Sequence, residues 1–166
     1  NMDLTVIFIV FTIFIKLTYK MIDTYLIFSD QEEKNKYGKW IPVNKCHNIE
    51  SLSQVVPLDL FALVGLIANA SWLGGYSCIY AGAVILNASN QIRCELEKSN
   101  IFQVLIYGMI NIIPAILMLS YYGGKALNMD ENQWFVPSII ATLLIIVQLI
   151  IPLLISSEKE EHNVGI

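Results

Sequence analysis

Long apolar segments dominate this sequence, and they limit what the chain can fold into more than any other feature. The segments cover roughly residues 4–28, 55–86, 101–122 and 134–155. About 20 apolar residues are enough to cross the hydrocarbon core of a bilayer. A soluble domain of 166 residues could not bury so much apolar surface, since 55% of this chain is hydrophobic and only 14% is charged. The sequence therefore predicts an all-α integral membrane protein, one domain over residues 1–166 with four transmembrane helices and short polar loops.

The second segment is too long for a simple span. As one straight helix, residues 55–86 would measure about 48 Å at about 1.5 Å per residue, which exceeds the hydrocarbon thickness. We therefore expect this helix to tilt, to project from the membrane, or to break near Gly74 and Gly75. Four spans would place both termini on the same side of the membrane.

Small residues form a row in this second segment. Ala70, Gly74, Cys78 and Gly82 recur every fourth position, and Gly75 flanks the row. Residues four apart lie on one face of a helix, and a face of small residues lets another backbone approach closely. The row predicts helix packing, and two interpretations remain open: a contact with the third segment of the same chain, or a seam between subunits.

A polar stripe crosses the third segment. Gln103, Tyr107 and Asn111 are spaced four apart in an otherwise aliphatic helix. Polar groups in a membrane helix must find partners. We expect hydrogen bonds between helices, and the alternative is a polar path or a hydrogen bond to a neighbouring subunit.

Charged residues occur near the segment ends. Lys16, Lys20 and Asp23 fall near one face of the first segment, where we expect the lysines to extend towards the membrane surface and Lys20 to pair with Asp23. A buried ion-translocating pair is the alternative. Asp59 is expected at the interface. Since no ionisable residue falls at the predicted midplane of segments two to four, the chain is not expected to carry ions by itself.

Several function classes are disfavoured by what the sequence lacks. The net charge is −4 and there is no basic block, so nucleic-acid binding is not expected. No catalytic, cofactor-binding or metal-binding motif is present, which disfavours an enzyme and predicts no cofactor and no metal. The expected partners are the lipid bilayer and other membrane subunits.

Residues 57–119 carry a pattern of three parts: the glycine-rich run WLGGYSCIYAGAVIL, a polar loop that ends at Lys98-Ser99-Asn100, and the aliphatic run IFQVLIYGMINIIP. This pattern resembles a proteolipid hairpin of rotary ATPases, and among them the c-double-prime type of vacuolar-type proton ATPases. That family places its essential proton-carrying Glu eight residues after the Asn, where this chain has Gly108. The family's second hairpin is also missing.

The resemblance implies a relative of the rotor proteolipids that does not pump. It would be a non-catalytic subunit with a packing or assembly role in the membrane sector of a vacuolar-type ATPase. Two alternatives remain open: a supernumerary subunit of a mitochondrial respiratory complex, and an independent homo-oligomeric transporter or channel. No Arg-rich amphipathic presequence is present, so a vacuolar or other endomembrane location is favoured over the mitochondrial inner membrane.

Overall fold

The computed structural model describes residues 3–27, 49–98 and 101–164 of the chain. These residues form five long α-helices and one short 3₁₀ helix, and they contain no β-strand, so the all-helical prediction is confirmed. In chain order, the elements are α1 (Leu4–Ile27), α2 (Ile49–Ala68), α3 (Leu73–Lys98), α4 (Ile101–Tyr122), the 3₁₀ helix (Gly123–Asn128) and α5 (Phe135–Val164).

Two of these elements have the length and composition of membrane spans. The qualifying stretches are Leu4–Ile22 and Ile101–Asn128, whereas Val55–Ala68 and Phe135–Val147 are apolar but shorter. Only 28% of the first stretch's apolar window and 39% of the second's are buried inside the protein. Both helices therefore turn most of their apolar side chains outwards, unlike the core helix of a soluble domain.

The predicted second segment is two antiparallel helices, so of the three outcomes expected for it the structure has the break, a few residues before the expected place. A Schellman motif ends α2: the Ala70 N–H donates to the Gly65 carbonyl (2.9 Å) and the Asn69 N–H donates to the Leu66 carbonyl (3.3 Å). Asn69 has a left-handed φ of 50°, which asparagine tolerates better than most residues. The chain thus reverses before it reaches Gly74, where the break was expected.

Helix α3 then continues further than predicted. Residues 87–98, expected as part of a polar loop, complete this helix, which ends at Lys98. At its start, the Gly75 N–H donates to the thioether sulfur of Met129 at 2.9 Å. This contact satisfies one of the backbone donors that every helix N-terminus leaves unpaired.

The helices alternate in direction. In α3 and α4, Gly74 lies against Ala126 whereas Gly108 lies against Ile92, so the two helices are antiparallel. We call the end of the bundle that holds the α2–α3 turn and the 3₁₀ helix the turn end, and the other the opposite end. Tyr121, at the turn end, donates a hydrogen bond to the Asp3 carboxylate, so α1 begins at the turn end. Helix α5 also begins at this end, because it follows the 3₁₀ helix. The first and last helices therefore run in the same direction. The described chain thus begins and ends at different ends of the bundle, and the four-span arrangement stays a prediction.

A single apolar core lies between the helices, while the outside of the bundle is also apolar. The core includes Ile9 and Ile13 of α1, which are fully buried. On the outside, large apolar side chains such as Phe11, Leu105 and Leu149 expose more than half of their surface. The polar groups of the candidate site lie within the bundle.

Candidate functional site

The bundle interior holds an ion pair between α1 and α2. The Lys16 Nζ atom lies 3.0 Å from Asp59 Oδ1, and neither side chain has any exposed surface. Tyr80 of α3 donates its hydroxyl to the same carboxylate oxygen at 2.6 Å, and Lys16 Nζ also lies 3.3 Å from that hydroxyl. We call Lys16, Asp59 and Tyr80 the ion-pair site. Three helices each supply one of its members.

The expectation that Lys16 and Lys20 would extend towards the surface is wrong, and Asp59 also lies in the interior of the bundle. Lys20, like the two members of the ion pair, is buried, with only 2% of its surface exposed. The side chain of Asp23, its expected partner, lies outside the described residues. The alternative of a buried charged pair is the one that the geometry matches, with Asp59 as the partner of Lys16 rather than Asp23.

Both lysines lie on the buried face of α1. The buried residues Val6, Ile9, Ile13, Lys16 and Lys20 are spaced three or four apart, which is the spacing of one helix face. Both lysines therefore continue the apolar face that packs against α2 and α4. Extending that face from the isoleucines is the sequence signal that could have identified them as interior residues.

A second polar pair lies one helical turn further along α1. Lys20 Nζ donates to the Tyr107 hydroxyl at 2.7 Å and lies 4.7 Å from the centre of that ring. The predicted stripe on α4 therefore does supply an interhelix hydrogen bond, through Tyr107. Asn111 is buried, but its amide donates to the Tyr107 carbonyl of its own helix at 2.7 Å. Gln103 is half-buried.

One oxygen of the ion-pair site has no partner. Asp59 Oδ2 is buried and accepts no hydrogen bond from any residue that the structure describes. The nearby Tyr76 hydroxyl donates instead to the backbone carbonyl of Leu58. A buried polar atom without a partner is costly, so Oδ2 is the point of the site where a further group would be stabilising.

The row of small residues divides into two parts. Gly74 and Gly75 are buried within the chain: a Cβ on Gly74 would lie 2.8 Å from the backbone nitrogen of Ala126, and one on Gly75 would lie 2.7 Å from the Trp134 ring. Their contacts are with the 3₁₀ helix and with Met129 and Trp134 of the segment before α5. The expected intramolecular contact is therefore made, but not with the third segment, α4.

The rest of the row does not pack inside the chain. Cys78 and Gly82 lie on an exposed face of α3, and a Cβ on Gly82 would meet no atom within 4 Å. Ala70 is half-buried in the α2–α3 turn, outside either helix. A seam between subunits remains a prediction for Cys78 and Gly82, whereas Gly74 and Gly75 are already in contact with residues of the same chain.

Gly108, at the position that matches the proteolipid Glu, is buried against α3. A Cβ there would lie 2.9 Å from Ile92 Cδ1. The residues around it, including Val104, Met109 and Ile112, line an apolar groove of about 400 Å³ between α3 and α4. A larger side chain at this position would require the end of the Ile92 side chain to shift, and the groove around it is lined by apolar residues.

Within the described part of the chain, no three His, Cys, Asp or Glu residues are grouped so that they could hold a metal ion. Comparison of the chain with protein-family models, with curated proteins and with solved structures found no match. The functional argument therefore depends on the geometry of the bundle and its polar interior.

Proposed function

We propose that this chain is a non-catalytic integral-membrane subunit of a multisubunit proton-translocating complex, the membrane sector of a vacuolar-type ATPase, in which it has a packing and assembly role. The observation that carries the proposal is the inverted polarity of the bundle. Lys16 and Asp59 are fully buried, while residues such as Phe11, Leu105 and Leu149 face outwards. In water this arrangement would promote aggregation, whereas in lipid it is the stable one.

The dimensions of α1 fit a bilayer. Lys16 lies 12 residues after Leu4, or about 18 Å along the helix, which is near the middle of a hydrocarbon core of about 30 Å. The turn end carries Trp72, Tyr121, Tyr122 and Trp134, and aromatic residues are enriched where a membrane meets water. In this arrangement the turn end lies at one membrane surface and the ion-pair site lies at depth.

Two features support a packing role in a proteolipid-like sector. The antiparallel pair α3 and α4 has the form of the resembled hairpin, and Gly108, which stands where the family has its carboxylate, lines the apolar groove between them. The exposed Cys78 and Gly82 offer a small-residue face where a helix of another subunit can approach closely. We place the chain in a vacuolar or other endomembrane, in agreement with this host.

The test is affinity purification of the tagged chain in mild detergent, followed by mass spectrometry of the proteins recovered with it. The proposal expects subunits of a vacuolar-type ATPase. Recovery of respiratory subunits, or of the chain alone as a homo-oligomer, would overturn the proposed host.

The packing role is tested by a matched pair of variants in the same purification. Gly82→Leu should reduce the recovery of partner subunits, since it fills the exposed small-residue face. Gly124→Leu makes the same change at another glycine with open space around its Cα and should leave recovery unchanged. Equal recovery from both variants would contradict a subunit contact at Gly82.

A further inference from the structure

We infer that the apolar groove between α3 and α4 binds one acyl chain of a glycerophospholipid, and that Arg93, at the edge of the groove, binds the phosphate group of the same lipid. We call this groove, whose lining includes Ile92, Gly108, Ile112 and Ile116, the α3–α4 groove. The inference rests on the membrane embedding in the proposed function, but not on the identity of the host complex. It gives the chain a specific lipid ligand in addition to its general contact with the bilayer.

The α3–α4 groove is apolar along its whole length. Its ten lining residues are all isoleucine, leucine, valine, methionine or glycine, and its volume is about 400 Å³. Gly108, one of its buried residues, adds no side chain to the space. Within a bilayer, groups associate through van der Waals packing rather than through the hydrophobic effect. A flexible hydrocarbon chain can make such contacts along a groove of this kind.

The edges of the groove favour an acyl chain over a helix of another subunit. Leu96 on α3, and Leu105 and Met109 on α4, each expose more than half of their surface. Another helix approaches closely where small residues lie on the surface, as they do at Cys78 and Gly82. Large side chains on both edges keep a helix backbone at a distance, whereas an acyl chain is narrow enough to lie between them.

The position of Arg93 matches the depth of lipid phosphate groups. Arg93 lies 20 residues after Leu73, the first residue of α3 at the turn end, which is about 30 Å along the helix. The hydrocarbon core of a bilayer is also about 30 Å thick. With the turn end at one membrane surface, Arg93 therefore lies at the other surface, where the phosphate groups of that leaflet are.

From the level of Arg93, the groove extends into the same leaflet. Ile92, the residue before Arg93, lies against Gly108, and the lining residues continue along α4 to Ile116. This part of α4 measures about 12 Å, which is close to the half-thickness of the hydrocarbon core, about 15 Å. A lipid whose phosphate group is at Arg93 therefore has its acyl chains at the depth of the groove.

Arg93 supplies the positive charge that recognises a phosphate group. Its side chain is exposed, and it forms no ion pair with any residue in the part of the chain that the structure describes. Arg93 also lies three residues before Leu96, a lining residue, and residues three apart are neighbours on a helix surface. The planar guanidinium group can donate two parallel hydrogen bonds to phosphate oxygens. A phospholipid carries both the phosphate group and the acyl chain that these two features select.

The first test is native mass spectrometry of the full-length chain in detergent with two added lipids. Dioleoylphosphatidylglycerol has two acyl chains and one phosphate group, whereas dioleoylglycerol has the same chains and no phosphate. We expect one molecule of the phospholipid to bind more tightly than any that follow it, and more tightly than dioleoylglycerol. Equal affinity for the two lipids, or a phospholipid titration without a distinct first site, would overturn the inference.

A matched pair of charge variants tests phosphate recognition. Arg93→Gln should weaken binding of the first phospholipid about fivefold, the factor that one arginine near a membrane surface contributes, and should leave dioleoylglycerol binding unchanged. Lys125→Gln removes an exposed cation at the turn end and should leave both affinities unchanged. Both side chains are exposed, so neither variant disturbs the core. Wild-type phospholipid affinity in Arg93→Gln would refute the role of Arg93.

A second pair of variants tests the groove. Ile112 and Ile110 are both half-buried residues of α4, but of the two only Ile112 lines the groove. Ile112→Trp should displace the acyl chain and lower the affinity for both lipids, whereas Ile110→Trp should not. Circular dichroism of both variants checks that the helices are retained. Equal lipid affinities in the two variants would mean that the lipid binds elsewhere.

Crosslinking in the cell's own membranes identifies what occupies the groove in the assembled protein. A photoreactive benzophenone side chain placed at Leu105, on the exposed edge of the groove, should form an adduct with phospholipid on illumination. An adduct with another protein instead would mean that a partner helix covers the groove, and would overturn the inference. The lipid titrations do not depend on which subunits co-purify, so failure of the proposed host would be seen separately.

Discussion

Two glycines on the same helix are predicted to respond in opposite ways to the same substitution. Gly74→Ala should destabilise the chain, and Gly82→Ala should stabilise it or leave it unchanged. Both residues belong to the row of small residues on α3, and both are followed by at least four further helical residues. They differ in what an added methyl group would meet.

The magnitude follows from the distances at each position. A Cβ on Gly74 would lie 2.8 Å from the Ala126 nitrogen and 3.0 Å from the Lys125 carbonyl carbon, both of them backbone atoms that cannot rotate away. Favourable contacts between heavy atoms lie at about 3.5–4.0 Å, so α3 and the 3₁₀ helix would have to separate. Overpacking of this kind costs about 1–3 kcal/mol. The gain from replacing glycine by alanine within a helix, about 0.5–1 kcal/mol, offsets only part of this cost.

At Gly82 the alanine substitution has the same gain in helix stability but no overpacking cost, since no atom lies within 4 Å of an added Cβ. Thermal unfolding of the purified chain in one detergent, followed by circular dichroism, separates the two variants. For a chain of this size, 1 kcal/mol corresponds to a shift in Tm of about 2–4 °C. We expect a lower Tm for Gly74→Ala and an equal or higher one for Gly82→Ala. Equal increases for both variants would refute the close approach of the 3₁₀ helix to α3.

Two further predictions test the ion pair and the α2–α3 turn. Lys16→Met alone should destabilise the chain by about 3–5 kcal/mol because it leaves Asp59 buried without its partner, and the double variant Lys16→Met/Asp59→Leu should recover much of that loss in the same unfolding assay. A double variant less stable than the single one would contradict the pairing. Asn69→Gly should preserve the Tm. Asn69→Val should lower the free energy of unfolding by about 1–2 kcal/mol, since a β-branched residue tolerates the left-handed conformation poorly. Equal Tm values for the two variants would argue against this turn.

The inverted polarity connects stability to function in this chain. An ion pair between Lys16 and Asp59 gains little over a well-packed apolar pair when both are buried, so stability alone is a weak reason for its presence. Charged residues inside membrane helices are rare and are associated with function.

Local sequence determined much of the architecture. Long apolar stretches without strand signals predicted helices, and the structure has helices in all four predicted segments. The row of small residues that includes Gly74 predicted a packing face, and Gly74 is packed closely against the 3₁₀ helix. The polar stripe that includes Tyr107 predicted a hydrogen bond between helices, and Tyr107 accepts one from Lys20. These features depend on helical periodicity and on side-chain size, both of which can be read from neighbouring residues.

Tertiary structure decided the rest. Residues 55–86 have no proline or charge at the point of reversal, and the turn at Asn69 depends on two helices that can pack back against each other. Similarly, lysines near a helix end extend to the surface or pair inside according to what faces them. Lys16 is buried because Asp59, 43 residues away in sequence, lies 3.0 Å from it. A free energy that depends on such a distant partner cannot be read from the segment itself, so only the assembled bundle places the two charges together in its interior.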